Sequence, residues 1–142
     1  MHFDPENPVN KLCAQGMLLE GEAKPAEAAT LFRQAWQIAA NATEKFTAAH
    51  YLARQQASVA DKLHWDETAL KFAQEVNDPE IAHVYPSLYL NIAKCYEDLG
   101  NLVLAMENYQ LALRFAGSLP DDGYSHMIRS GIASGIKRVT AL

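Results

Sequence analysis

Four places in this chain carry residue types that could do chemistry. Glu80 and His83 form an E-x-x-H pair at helical spacing, half of the carboxylate–histidine motif of dinuclear iron bundles. A full site needs a second pair and two further glutamates, and Asp61 with His64 is a poor substitute. His50, His64, His83 and His126 lie far apart, without the H-x-x-x-H pairing of a helical zinc site. Cys13 and His50 are the types of a thiolate nucleophile and its base, yet nothing in the spacing brings them together. Asp121-Asp122-Gly123 lacks the alternating acidic ligands of a calcium loop and reads as a turn that opens a helix. The expectation is therefore no catalytic residue, no cofactor, no metal and no enzyme, with His83 on a solvated face.

The elements that carry these residues read as helices throughout. The chain has 142 residues, 49% of them apolar, enough for the core of a single domain over 1–142. Alanine-rich segments with few β-branched runs favour helix, and no alternating strand pattern of useful length occurs. Asn7-Pro8 is a cap followed by proline in a first helical turn. Asn41 with Glu44 has the spacing of a capping box, and Asp78-Pro79 repeats the cap–proline signal. Pro86 disfavours helix at Tyr85, so residues 79–98 are either kinked or split into a short turn plus a helix. Helices are expected at 8–22, 25–40, 42–63, 65–77, 79–98, 102–117 and 122–140.

Residues 89–113 show an internal unit. Tyr89, Ile92, Ala93 and Tyr96 precede Gly100, and Ala105, Tyr109 and Ala112 follow it. Leu102, Ala105, Met106, Tyr109, Ala112, Leu113 and Ala116 recur at three- and four-residue steps, one stripe of a helix. Ala93 and Ala105 suit a close crossing of two helix axes, and Gly100 suits a left-handed helix end. A second copy has Leu12, Gly16 and Leu19 before Ala28, Phe32 and Ala35, with Pro25 opening its second helix. A third, more divergent, has Ala53, Ala57 and Ala60 before Ala69, Phe72, Ala73 and Val76, with His64-Trp65 in the turn.

These residues resemble the tetratricopeptide repeat (TPR), a helix–turn–helix unit used mainly to bind proteins. The resemblance covers about residues 9–117 and implies an all-α, right-handed stack of about three antiparallel helix pairs. Repeats would span about 9–40, 42–77 and 86–117, with a capping helix at about 122–140 to cover the open end. The chain is also similar to short bacterial TPR proteins, some of which carry an RNA adenine methyltransferase label. It lacks a glycine-rich cofactor loop and the Asn/Asp-Pro-Pro-aromatic signature of amino-methylating enzymes, so that activity is not expected.

The charge of −5, twelve basic against seventeen acidic residues, gives no concentrated basic footprint for nucleic acid. Lys137-Arg138 reads as complementing a helix C-terminus. The start of the chain has no basic residue followed by an apolar stretch, and no run reaches the ~18 apolar residues of a membrane span. Cys13 and Cys95 fit neither a metal motif nor a small disulfide scaffold. A cytoplasmic protein with no membrane partner is expected.

The resemblance also places a ligand surface. Residues that flank the small positions of the first helices point into the groove in this family. They are Asn10, Cys13, Met17 and Glu20 in the first repeat, Tyr51, Arg54, Gln55 and Ser58 in the second, and Ser87, Asn91, Lys94 and Glu97 in the third. Cys13 and Met17 stand where chaperone-binding members use a carboxylate clamp, so that clamp is absent. The core of the expected site is Tyr51, Arg54, Gln55, Ser87, Asn91 and Lys94, binding an unidentified protein or peptide. The alternative is a self-associating regulatory subunit of an enzyme complex. Ser130, Gly131, Ser134 and Gly135 make a small-residue face beside Ile128, Ile132 and Ile136. That face serves either to pack the terminal helix on the third repeat or to form a homodimer.

Overall fold

The computed structural model describes residues 4–141. Among them are seven α-helices, one 3-10 helix and no strand. The chain divides into two compact units, residues 1–78 and 79–142. The boundary falls between Asp78 and Pro79. The reading of the chain start rests partly on residues 1–3, which lie outside the described residues.

The first unit holds α1 (Pro8–Gly21), α2 (Pro25–Ile38), α3 (Ala42–Arg54) and α4 (Val59–Gln74). Asn7 starts α1 by accepting hydrogen bonds from the amides of Val9 and Asn10 at 2.8 and 3.2 Å. The capping box at α3 is complete, with Asn41 and Glu44 each bonding the other's backbone. Asn7 Nδ2 also donates to Glu44 at 2.8 Å, tying the start of α1 to the start of α3. Short turns make successive helices antiparallel. α2 packs on α1, and α3 returns onto both, while α4 packs on α3. Val9, Cys13, Ala28, Phe32, Ala35, Ala48 and Leu52 form the core of this unit.

Here the middle turn departs from expectation. α3 ends at Arg54 rather than 63, and Ser58 caps α4 by accepting from the amide of Asp61 at 3.1 Å. His64-Trp65 therefore lies inside α4, not in a turn, and Ala57 is exposed in the loop rather than buried on a helix. With the start of α4 moved to Val59, second helices open 34 residues apart, at Pro25 and Val59.

The second unit opens with a 3-10 helix, Pro79–Val84, followed by α5 (Tyr85–Asp98), α6 (Leu102–Ala116) and α7 (Gly123–Ala141). Pro86 sits in the first turn of α5, where a missing N–H costs nothing, so the segment is split rather than kinked. Gly100 has φ +83°, the left-handed turn conformation. α5 and α6 pair, and α7 packs on both. Ala93, Ala105 and Tyr109 are all fully buried in one cluster with Val139, consistent with a close crossing. Leu113 is the exception to the expected stripe: it is 54% exposed, at the edge of the α6 face.

Candidate functional site

The groove residues of the first unit gather at the ends of α1 and α3. Arg54 Nη2 lies 3.0 Å from Glu20 Oε1, out of line for a hydrogen bond, and Gln55 Nε2 donates to Glu20 Oε2. The Arg54 guanidinium also sits over the Tyr51 ring, 5.6 Å from its centroid. Tyr51 in turn stacks on Phe32 of α2 at 5.3 Å. Burial raises the Tyr51 phenol above its ordinary range, with the Cys13 thiol and Glu20 acting in the same direction. Tyr51, Arg54 and Gln55 thus come together, around a carboxylate whose side chain is only 15% exposed. Met17 is exposed beside them on α1, at i−3 from Glu20.

Two expected groove residues of the first unit are elsewhere. Cys13 is buried in the core, its thiol pushed up to about 12 by burial, which keeps it protonated and unreactive. Ser58 caps α4. The Nδ1 of His50 is buried with no hydrogen bond.

In the second unit Ser87, Asn91 and Lys94 follow one another at four- and three-residue steps on a single face of α5. Ser87 Oγ donates to the carbonyl of Val84 at 3.0 Å, and Lys94 pairs with Asp98 one turn on. Glu97 is not a groove residue. Its carboxylate, 13% exposed, accepts from Tyr109 Oη at 2.6 Å and from Arg138 Nε at 2.8 Å, with Arg138 Nη2 at 3.2 Å. Arg138 holds this carboxyl below its usual range. Burial, and then the hydrogen bond to Glu97, push the Tyr109 phenol up to about 12. Arg138 therefore joins α7 to α5 and α6 instead of merely balancing a helix end. Arg129 has a related role: its Nη2 donates to the carbonyls of Ala116 and Leu119 at 3.1 and 2.8 Å, closing the end of α6.

The spacing held a signal for this network. Glu20 and Glu97 are 77 positions apart, as are Gly16 and Ala93, Phe32 and Tyr109, and the left-handed Ala23 (φ 61°) and Gly100. Each glutamate takes an arginine from the helix that returns onto its pair. The small face of α7 is also spoken for in part. A Cβ on Gly135 would lie 2.2 Å from Cε1 of Tyr109, and one on Gly131 would lie 3.2 Å from Leu90. Ser130 and Ser134 are exposed.

Glu80 and His83 fall in the 3-10 helix, and among the described residues no group of three His, Cys, Asp or Glu is placed to hold a metal ion. No described helix is long and apolar enough to cross a membrane. Set against protein-family models, curated proteins and solved structures, the chain matches none of them.

Proposed function

We propose that this protein is a non-catalytic cytoplasmic adaptor of TPR-like helix pairs, which binds a partner's peptide or helix on the first helices of those pairs. The repeated pairing scheme is the observation that carries this reading. Ala28-Phe32-Ala35 and Ala105-Tyr109-Ala112 are buried second-helix stripes at the same place in two pairs, and in each case a third helix returns onto the pair. Arrays of such pairs present side chains from a row of first helices. In the first unit Met17, Tyr51 and Arg54 supply an apolar, an aromatic and a cationic group there. In the second, Asn91 and Lys94 supply polar ones.

The test is affinity for a partner captured from the native host. Arg54→Glu is unsuitable, since it would set a second carboxylate against Glu20. Met17→Ala in the first unit and Asn91→Ala with Lys94→Ala in the second keep Arg54 on Glu20 and set no new carboxylate against Glu20 or Asp98. At least one of them should weaken binding about tenfold or more, with melting unchanged. Less than a twofold change in both, with the fold intact, would move the site to the outer face of α7, Ser130, Ala133, Ser134 and Lys137. Self-association is then the reading to pursue, and a dimeric solution mass is its sign.

A further inference from the structure

The helix α4 is anchored differently from the other second helices. α2 buries Phe32 and α6 buries Tyr109 completely, each between two buried alanines. Counted from the helix start, the same places in α4 hold Lys62, Asp66 and Ala69. The buried residues of α4 are Asp66, Ala69 and Ala73, so it encloses no large apolar side chain fully. Leu63, Trp65, Leu70 and Phe72 are half-buried. The Asp66 carboxylate is 1% exposed and pairs with Lys62 Nζ at 2.8 Å. Taking the Asp66 carboxylate out of water offsets much of its attraction to Lys62, whose side chain stays 36% exposed, so the pair returns little net stability.

Across from α4, on α3, His50 occupies the place that Gly16 has on α1 and Ala93 on α5. Phe46 stacks on its ring at 6.2 Å and Tyr51 meets it edge-on at 5.2 Å. Arg54 on α3 and Lys62 on α4 both disfavour its charged form. Asp66 is held by Lys62. From α1 come Glu20, which is tied to Arg54, and the neutral thiol of Cys13. The α2 residues of this core, Ala28, Phe32 and Ala35, do not titrate. Burial first, then Arg54 and Lys62, hold the imidazole neutral down to about 4 against its ordinary 6.5.

We infer that α4 is an acid-released helix: as the pH falls from neutral, a proton taken up by His50 loosens α4 from α3 while the α5–α6–α7 unit stays closed. The direction follows from linkage. The packed state binds the His50 proton less readily than the open state does. The contact is therefore at full strength above about 6.5 and weakens as the pH falls toward about 4. The second unit buries no histidine among the described residues: His83 and His126 are exposed, His126 beside Asp121, and the Glu97 carboxyl is held below its ordinary 4.5.

Amide hydrogen exchange on the full chain at about pH 7 and about pH 4.5, corrected for intrinsic rates, tests this. Protection over 59–74 should fall about tenfold or more, while 102–116 and 123–141 change less than about twofold. Equal loss in both units, or loss first in α6 and α7, overturns the inference. His50→Ala, a small residue like Ala93, should remove the acid sensitivity of α4; a variant that keeps it overturns the role of His50. Lys62→Ala with Asp66→Phe rebuilds the buried stripe. It should raise protection of α4 at both pH values, and unchanged protection would show that α4 is not weakly anchored.

Discussion

Glu20 on α1 and Glu97 on α5 each close a three-helix group by binding an arginine from the third helix, Arg54 in one and Arg138 in the other. The two groups differ in where the aromatic hydroxyl comes from. In the first, α2 supplies Phe32 and α3 lays Tyr51 on it. In the second, α6 supplies Tyr109, and the place of Tyr51 relative to the arginine is taken by Gly135. Removing the side chain from α7 makes room for the ring, and the phenol then reaches both Glu97 and Arg138. One closure leans on ring stacking, the other on a largely buried carboxylate with three donor contacts. A helix contact can thus keep its filled volume while its polar chemistry moves from one helix to the next.

The comparison breaks hardest at the glycine. Gly135→Ala should cost about 1–3 kcal/mol in a urea titration, because overpacking against Tyr109 exceeds the roughly 1 kcal/mol that alanine gains in a helix. Gly21→Ala, with nothing within 4 Å of its Cβ, serves as the control and should not destabilise. A Gly135→Ala protein as stable as wild type would mean that α7 does not approach Tyr109 closely.

Next comes the carboxylate. Glu97→Gln should cost about 2 kcal/mol at neutral pH and Glu20→Gln about 1 kcal/mol, since charged hydrogen bonds contribute more than neutral ones. The Glu97 contribution is present above the ordinary carboxylate range and is lost as the pH falls below about 4.5 through its lowered folded value. Acid titrations of wild type and Glu97→Gln should converge there. Wild-type stability that is flat through that range would contradict the network.

The hydroxyls sharpen the contrast on a smaller scale. Tyr109→Phe should cost about 1–1.5 kcal/mol and Tyr51→Phe less than about 0.5 kcal/mol, because Tyr109 donates to a charged acceptor. Equal costs would remove the distinction between the two closures. The smallest effect is a gain. Ala23 holds the left-handed conformation that glycine holds at Gly100. Ala23→Gly should stabilise by about 0.5–1 kcal/mol through relieved backbone strain. A lower denaturation midpoint would show that alanine is not strained there.

Local signals in the sequence were enough for most helix ends. Asn7, the Asn41–Glu44 box, Pro25 and Gly100 act through their own backbone neighbours, so their roles need no knowledge of the fold. The stripes of α2 and α6 were legible for the same reason, since a helix period fixes which side chains share a face. The turn at 55–58 was not. Gln55-Gln56-Ala57-Ser58 contains no glycine or proline, and Ala53, Ala57 and Ala60 keep a helical period straight through it. Of the residues expected on the surface, Tyr51, Arg54 and Gln55 meet around Glu20, while Cys13 and Glu97 turned inward, and no local signal marked which would do so.

What the sequence determined by itself is the helical class, the caps and the small–aromatic–small pattern of the pairs, all set by interactions within a few residues. Only the tertiary structure decided that Arg138 would reach Glu97 from 41 positions away, that Asp66 would be buried and that His50 would lose its water. Each of those outcomes depends on which helices meet. A long charged side chain carries no local mark of its partner, and a titratable group shows no sign of its desolvation until the surrounding helices have excluded solvent.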